Sequence, residues 1–321
     1  MRIVPMIKVD ILVPESSSPA ALGITLDVLD AVNRLAGEAV FGWRAVVTEG
    51  STAQLRGGVS LPAQPLSRAR PRDLAIVLGM GAGTDAEIEH RVVAPDAPAA
   101  AKWLRSAWHR GTTIAASCTG VFLLGMAGLL DGRRCTTTWW LTPKLKALFP
   151  ESLANADCML TEDSRIWTAG ASFAHIDLML GLVARFAGPS LAEDAARHVV
   201  VDQRASQARY VIPAFLAAQD PIARKVEAYV RRSLKAPFSL RDLAKQTGTT
   251  TRTLNRRLVL ATGLSPMRFV QKIRVDAALH LLQTTRLPLE DVAEEVGFDD
   301  TSALYRLIRR HTGKSPGKFR A

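Results

Sequence analysis

Residues 289–320 read LEDVAEEVGFDDTSALYRLIRRHTGKSPGKFR and contain two short amphipathic segments joined by a glycine. Leu289 and Val292 have the spacing of residues that lie on one face of a helix. Gly297 suits the positive φ at which many helices end, and Asp300 can cap the helix that follows. This order is typical of a helix-turn-helix. An ordinary helical hairpin with a solvated basic face would have the same spacing.

The same pattern occurs a second time upstream. Residues 238–258 read FSLRDLAKQTGTTTRTLNRRL, with Gly248 at the turn, and a connecting helix is predicted over 266–282. Two recognition helices, predicted at 250–261 and 301–311, would enter successive major grooves about one helical turn of DNA, or ~34 Å, apart. The predicted DNA contacts are their outward-facing side chains: Arg252, Thr253, Arg256, Arg257, Ser302, Tyr305, Arg306 and Arg309.

The positive charge of the chain is concentrated in this region. The 321 residues have a formal net charge of +11, and residues 211–321 hold 20 Lys and Arg against 10 Asp and Glu. Residues 1–210 are almost balanced, with 21 against 20. Such a basic region attracts nucleic-acid phosphates, and the attraction weakens as salt rises. RNA or a membrane surface would also suit a basic region, but the paired helix-turn-helix pattern favours double-stranded DNA.

The tandem pattern resembles the DNA-binding domain of the AraC/XylS family of transcription regulators. The likeness covers roughly residues 220–321, and its most specific parts are RTLNRRL at 252–258, GF at 297–298 and TGKSPGKFR at 312–320. The resemblance implies a sequence-specific transcription regulator, an activator that works with RNA polymerase on double-stranded DNA.

Strands and helices alternate through the first 210 residues. Strands are predicted at 6–14, 43–48, 74–78 and 113–116, and helices at 20–36, 98–110 and 121–129. This alternation predicts an α/β domain, a flavodoxin-like doubly wound parallel sheet with helices on both faces. The second domain is then an all-α tandem helix-turn-helix. Ligands of parallel sheets bind at the carboxyl ends of the strands, where Glu15, the glycine-rich loop at 79–83 and Cys118 lie.

Cys118 raises the question of an enzyme. The segment Ser117-Cys118-Thr119-Gly120 joins a predicted strand directly to a helix, which is the arrangement of a nucleophile elbow. The thiol would then lie at a helix N-terminus, where backbone N–H groups and the helix dipole favour a thiolate. A small cysteine buried at a tight turn would give the same sequence, so both interpretations remain open at this point.

Residues 114–139, IAASCTGVFLLGMAGLLDGRRCTTTW, resemble the ThiJ/PfpI family of class I glutamine-amidotransferase-like domains. The likeness is strongest to the members fused to AraC-type domains, and it spans most of residues 5–210. It implies that this domain senses a small nitrogen-containing metabolite.

The residues around Cys118 favour binding over catalysis. A cysteine nucleophile needs a base, but Thr119 follows the cysteine and Thr138 stands where close relatives have the histidine of a Thr-Thr-His-Trp motif. His175 is predicted to be structural. The predicted ligand-binding residues are Glu15, Gly79, Met80, Cys118, Thr119, Thr138 and Trp139. Glu15 could also be a solvated loop carboxylate, and for Trp139 packing in the aromatic core is the favoured alternative. No catalytic residue, metal or cofactor is predicted, and the alternative is a Cys118-dependent amidase or hydratase that also binds DNA.

The predicted organisation is a sensor and dimerisation domain at 1–212, a linker with two prolines at 213–221 and a DNA-binding domain at 222–321. Three cysteines without metal-type spacing fit a reducing compartment. No apolar run of about 18 residues is present, and charged residues near the N-terminus interrupt any signal-peptide pattern. We therefore expect a cytoplasmic homodimer with no membrane partner.

Overall fold

The chain divides into two compact units between Gln207 and Ala208. A computed structural model describes residues 5–202, 204, 206–218 and 220–320. The strands of the first unit are β1 (Ile7–Leu12), β2 (Phe41–Val47), β3 (Thr52–Gln54), β4 (Ser60–Pro62), β5 (Gln64–Pro65), β6 (Leu74–Val77), β7 (Thr113–Ser117), β8 (Arg134–Cys135), β9 (Leu153–Ala154), β10 (Leu160–Asp163) and β11 (Ile166–Ala169).

The central sheet is parallel and doubly wound. Over the described residues it has seven strands in the order β10-β11-β7-β6-β1-β2-β5, and β10 pairs with β11 antiparallel. The inner strands β2-β1-β6-β7-β11 follow the 2-1-3-4-5 order of flavodoxin-like sheets. The fold class predicted from the sequence is therefore confirmed. The predicted strands correspond to β1, β2, β6 and β7, while the antiparallel hairpin at the edge was not predicted.

Helices cover both faces of this sheet. The helices of the first unit are α1 (Pro19–Ala36), α2 (Asp85–Val92), α3 (Asp96–His109), α4 (Val121–Met126), α5 (Thr142–Leu148), α6 (His175–Ala187) and α7 (Pro189–His198). Side chains of a strand point alternately to its two faces. Leu74 and Ile76 of β6 accordingly pack with α1, α6 and α7, whereas Ala75 and Val77 pack with α2, α3, α4 and α5.

His175 joins three elements of this core. Its Nδ1 lies 2.8 Å from Ser117 Oγ of β7, and its Nε2 lies 2.7 Å from Thr25 Oγ1 of α1. The side chain is completely buried, and burial lowers the pKa of His175 to about 4. The imidazole is therefore neutral at pH 7 and serves as a hydrogen-bonding bridge between helix and sheet, as the predicted structural role requires.

The second unit is all-helical. Its helices are α8 (Pro213–Ala217), α9 (Pro221–Arg232), α10 (Leu240–Thr247), α11 (Thr251–Thr262), α12 (Pro266–Thr284), α13 (Leu289–Glu295) and α14 (Thr301–Thr312). The predicted linker of 213–221 lies within this unit. Each of its two prolines occupies the first position of a helix. Proline is accepted there since the first N–H groups of a helix have no intrahelical partner. Among the described residues, no helix combines the length and the apolar run needed to cross a bilayer.

Helices α11 and α14 are copies of one structure, shifted by 50 residues from Thr251–Thr262 to Thr301–Thr312. Each buries two aliphatic side chains at the same positions, Leu254 and Leu258 in the first and Leu304 and Ile308 in the second. Both helices end at a glycine with left-handed φ. The two helix-turn-helix units predicted from sequence are therefore present, with α12 connecting them.

Arg274 of α12 holds the two helix-turn-helix units together. Its Nη2 donates hydrogen bonds to the carbonyl oxygens of Leu234 and Ala236, at 2.9 and 2.6 Å. Its guanidinium lies over the rings of Phe238, before α10, and Phe298, after α13. The turn that brings Phe298 there depends on Gly297 (φ 78°), where a Cβ would collide with both Arg274 and the Leu234 carbonyl oxygen.

The buried imidazole predicts a pH dependence of stability. A folded-state pKa near 4, against 6.5 for the free side chain, means that the unfolded chain binds a proton more readily between these values. The free energy of unfolding should therefore fall as the pH falls from about 6.5 to about 4, by up to ~3 kcal/mol from this residue. All six tryptophans lie in the first unit, so tryptophan fluorescence in urea titrations reports this unit.

His175→Gln should lower the stability at pH 7 and remove this component of the slope. His90→Gln, at an exposed position of α2, is the control and should keep the wild-type slope. Equal pH dependence in His175→Gln and the wild type would contradict the assignment.

Candidate functional site

A strained turn connects β7 to α4. Cys118 has a φ of 54°, which few residues other than glycine adopt, and Cys118–Gly120 forms a 3₁₀ turn before α4 begins at Val121. A Cβ at Gly120 would lie 2.6 Å from the carbonyl oxygen of Leu78. The glycine thus lets the turn press against the end of β6, and the strand-turn-helix geometry of the elbow is present.

The loop after β6 closes one side of the elbow. The Met80 N–H donates to Thr119 Oγ1 at 2.9 Å, and a Cβ at Gly79 would lie 3.8 Å from Cys118 Sγ. Met80 is completely buried. The structure therefore brings together four of the residues that the sequence grouped: Gly79, Met80, Cys118 and Thr119.

Of the two interpretations left open for Cys118, the surroundings of the thiol favour the cysteine packed at a tight turn over the thiolate. Burial raises the pKa of the Cys118 thiol, and the opposing hydrogen bonds from the Thr119 backbone and hydroxyl are weaker. The thiol is consequently neutral at pH 7. A low pKa requires an electropositive, partly hydrated setting, and here desolvation of the thiol outweighs the hydrogen bonds that would favour a thiolate.

The segment 136–138 lies against the elbow and contains a buried polar group. The Thr137 hydroxyl donates to the Cys118 carbonyl oxygen at 2.7 Å. Thr138, at the position of the missing histidine, is completely buried, and its Oγ1 has no hydrogen-bond partner among the described residues. A hydroxyl there can bind a ligand but cannot act as a base at neutral pH.

Gln207 is a component of this site that sequence reasoning missed. Its Nε2 donates to the Thr137 carbonyl oxygen at 2.8 Å and to Thr136 Oγ1 at 3.1 Å. Its buried Oε1 has no partner within the described part of the chain, and a Cβ on Gly170 would collide with it. Gly170 in turn accepts the Cys118 N–H at 2.8 Å. No sequence pattern marks Gln207, because its partners lie about 70 residues away.

The two remaining predicted ligand residues have other surroundings. Trp139 is 7% exposed and contacts Trp140 edge to face, so it packs in the interior. Glu15 extends from the loop after β1 with its side chain 73% exposed, 4.0 Å from an Arg91 Nη1. Its exposure agrees with the alternative interpretation of Glu15 as a solvated loop carboxylate. The described residues contain no cluster of three or more His, Cys, Asp or Glu side chains arranged for a metal.

The recognition helices of the second unit expose matching faces. Arg252 and Arg256 of α11 are exposed, as are their counterparts Ser302 and Arg306 of α14. Arg306 lies 3.4 Å from the exposed carboxylate of Asp300, and a surface pair of this kind is weak. Thr253, also predicted to contact DNA, is only partly exposed and bonds to the N-cap Thr250.

The repeat identifies a further exposed residue that the sequence analysis omitted. Asn255 of α11 occupies the position that Tyr305 occupies in α14, and both are exposed. The faces differ at their C-terminal ends, where α11 exposes Val259 and Leu260 and α14 exposes two arginines, Arg309 and Arg310. Each helix has three arginines, but all three are exposed in α14 and only two are exposed in α11.

Arg257 does not belong to this exposed face. Its Nε donates to Asp220 Oδ2 at 2.6 Å, and the other oxygen of Asp220 caps α9 through the N–H groups of Ile222 and Ala223. The side chain is thus held by its own domain. We remove Arg257 from the proposed DNA contacts for this reason.

Comparison with known proteins agrees with both halves of this description. Residues 243–321 match a helix-turn-helix domain family, and residues 36–185 match the DJ-1/PfpI family. The chain is 30% identical over 227 residues to the HTH-type transcriptional regulator CdhR of Pseudomonas aeruginosa, covering 70% of this chain and 67% of that protein. It is 25% identical over 320 residues to the HTH-type transcriptional regulator GbdR of the same species, covering 94% and 84%.

A solved structure shows the same relationship. The AraC family transcriptional regulator from Pseudomonas putida is 25% identical, superimposes with a TM-score of 0.52, and covers 61% of this chain and 100% of its own. With an HTH domain at one end and a DJ-1/PfpI domain at the other, the chain belongs to the AraC-type family of DNA-binding, HTH-type transcriptional regulators.

Proposed function

We propose that this regulator activates transcription in response to a small nitrogen-containing metabolite bound at the Cys118 cleft. In this proposal the first unit senses the metabolite and forms a homodimer in the cytoplasm. The second unit binds double-stranded DNA and recruits RNA polymerase. The cleft binds without catalysing a reaction.

One observation carries the proposal, a continuous chain of hydrogen bonds from the elbow to the domain boundary. Cys118 bonds to Thr137, and Thr137 bonds to Gln207, at 2.7 and 2.8 Å. Gln207 is the last residue of the first unit. A ligand that displaces the 136–138 segment therefore also displaces the residue from which the second unit continues. An effector acts when it prefers one of two such arrangements.

The free polar atoms of the cleft favour a nitrogen-containing ligand. Thr138 Oγ1 and Gln207 Oε1 are buried and have no partner among the described residues. A buried acceptor without a hydrogen bond costs about 1–3 kcal/mol. Ammonium, amine and amide N–H groups would satisfy such acceptors, so binding a nitrogen-containing metabolite would recover this free energy.

The absence of catalysis is proposed from the state of the thiol. The pKa of Cys118 is raised by burial, and Thr138 replaces the expected base. Both ring nitrogens of His175, which bonds to the residue before Cys118, already have partners in Ser117 and Thr25. A neutral thiol without a base is a poor nucleophile. The strained φ of Cys118 then remains as a feature of the fold that shapes the cleft.

Arg256→Ala and Arg306→Ala should each weaken binding to the specific site by roughly 1–3 kcal/mol where the arginine reads a base. The measurement is footprinting of the full-length protein on its upstream region and neighbouring promoters at fixed salt. Arg185→Ala, an exposed arginine of the first unit, should leave the footprint unchanged. An equal loss on random-sequence DNA would assign that arginine to the phosphate backbone instead.

Cys118 should be alkylated by iodoacetamide more slowly in the native protein at pH 7 than in the urea-unfolded chain, and faster as the pH rises, because the thiolate is the reactive form. Peptide mass spectrometry separates Cys118 from Cys135 and Cys158. A panel of small amides should yield no ammonia. Ammonia release that Cys118→Ser abolishes would overturn the non-catalytic proposal.

Gln207→Leu should separate ligand binding from the DNA response. The probe is the first compound, from a panel of amino acids, amines and amides, that raises the Tm of the wild type and changes its footprint. The variant should bind the compound more weakly, because the acceptor Gln207 Oε1 is lost. Even at a saturating concentration its footprint should not change, because the link to the boundary is lost as well.

Thr138→Val is the matched variant for binding. It should weaken the compound's binding by about 1 kcal/mol or more through the lost hydrogen bond, while a saturating concentration restores the footprint change. A full response in Gln207→Leu would eliminate the hydrogen-bond chain as the route of coupling.

A further inference from the structure

A cavity lies at the edge of the sheet opposite Cys118, and we name it the amino-end cavity. It has a volume of about 550 Å³, and segments preceding or beginning β1, β6 and β7 line it together with Arg44 of β2. Its charged lining residues among those the structure describes are Lys8, Arg44, Arg70, Arg72, Asp73 and Arg110. Five of these six are basic, although the charges of residues 1–210 taken together almost balance.

A buried carboxylate fixes two of these arginines. Asp10 lies in the middle of β1 and is completely buried. Its Oδ1 is 2.6 Å from Arg44 Nε and 3.6 Å from Arg72 Nε. Arg44 is also the direct neighbour of Asp10 across the strand pair, and its Nη1 donates to Gln64 at 2.7 Å. Both guanidinium groups are therefore held in place before any ligand arrives.

Hydrogen bonds between the lining segments hold the rim of the cavity. The Arg44 Nη2 donates to the Arg70 carbonyl oxygen at 2.7 Å, and the Thr112 hydroxyl donates to the Arg72 carbonyl oxygen at 2.7 Å. The Lys8 N–H donates to the Asp73 carboxylate at 2.8 Å. This network connects four separate chain segments, which makes the cavity a pre-formed site.

The positive charge of the site is only partly neutralised. Two carboxylates, Asp10 and Asp73, are outnumbered by five basic side chains. Burial and the charge of Arg44 lower the pKa of Arg72, against the weaker effects of Asp10 and Asp73. Arg70, Arg110 and Lys8 are exposed around the anchored pair. An anion would relieve the repulsion between these groups.

We propose that the amino-end cavity binds the phosphate group of a small phosphorylated metabolite. Guanidinium groups match phosphate oxygens through paired N–H donors, and arginine predominates where such recognition matters. The volume falls in the range of small-molecule sites and leaves space for more than an inorganic ion. The concave, braced geometry favours a small ligand over a DNA backbone.

This site is separate from the Cys118 cleft. The cleft lies at the carboxyl ends of β6 and β7, and the amino-end cavity lies where these two strands begin. The regulator thus has a second ligand input, and the phosphate site does not depend on the identity of the Cys118 ligand.

The test is hydrogen–deuterium exchange of the full-length protein with sodium pyrophosphate, at an ionic strength held constant with sodium chloride. Pyrophosphate should slow exchange of amides in 70–73 and 110–113. Arg70→Ala/Arg110→Ala should abolish this protection and weaken binding roughly tenfold or more. Arg185→Ala should keep both. Because the DNA-binding unit is also basic, only protection within these two segments supports the proposal.

Three results would overturn it. Absence of protection in both segments would mean that the cavity does not bind phosphate. Equal protection by citrate would make it a general anion site. If the double variant bound duplex DNA more weakly and pyrophosphate protected neither segment of the wild type, Arg70 and Arg110 would be contacts to the DNA backbone. Unchanged tryptophan fluorescence and Tm of the unliganded double variant verify that it folds.

Discussion

The arrangement of the DNA-binding unit depends on one side chain, Arg274. Two recognition helices can enter successive grooves only if their separation is fixed. Arg274 supplies this constraint by bonding to the carbonyl oxygens before α10 and lying over the rings of Phe238 and Phe298. Gly297 makes room for that side chain, since a Cβ at this position would collide with the Arg274 guanidinium. The rigid pair of helices follows from this packing.

The first unit depends on a comparable close approach. Gly120 lets the elbow rest on the carbonyl groups at the end of β6, and Cys118 accepts a left-handed backbone as a result. The same burial that orders the turn raises the pKa of the thiol. This fold also occurs in enzymes. Here the Thr137 hydroxyl bonds to the Cys118 carbonyl oxygen and the Thr119 hydroxyl accepts the Met80 N–H, and the proposed recognition of a ligand rests on such groups. Gln207 connects that setting to the end of the unit.

The two edges of the sheet differ in chemistry because different residues occupy the strand ends. The carboxyl edge carries Cys118, Thr138 and Gln207, which offer uncharged hydrogen-bonding groups. The amino edge carries a cluster of arginines organised by the buried Asp10. Asp10 is costly to bury without partners, so the arginines are required by the fold as well as available to a ligand. One sheet thereby has two edges of unlike chemistry.

The sequence by itself determined the architecture of both units. The architecture follows from local patterns: periodic apolar residues such as Leu254 and Leu258, glycines at turns, and strands that alternate with helices. Such patterns can be recognised in the sequence alone. The same reasoning identified Gly79, Met80, Thr119 and Cys118, because strand ends of a parallel sheet meet at one edge. Only the tertiary structure decided the burial of the thiol, the helix α8 within the predicted linker, the ion pair of Arg257, and the partners of Gln207 and Asp10. Those outcomes depend on burial and on partners distant in sequence, such as Thr137 for Gln207 and Arg44 for Asp10. Neither burial nor distant partners can be predicted from the spacing of neighbouring residues.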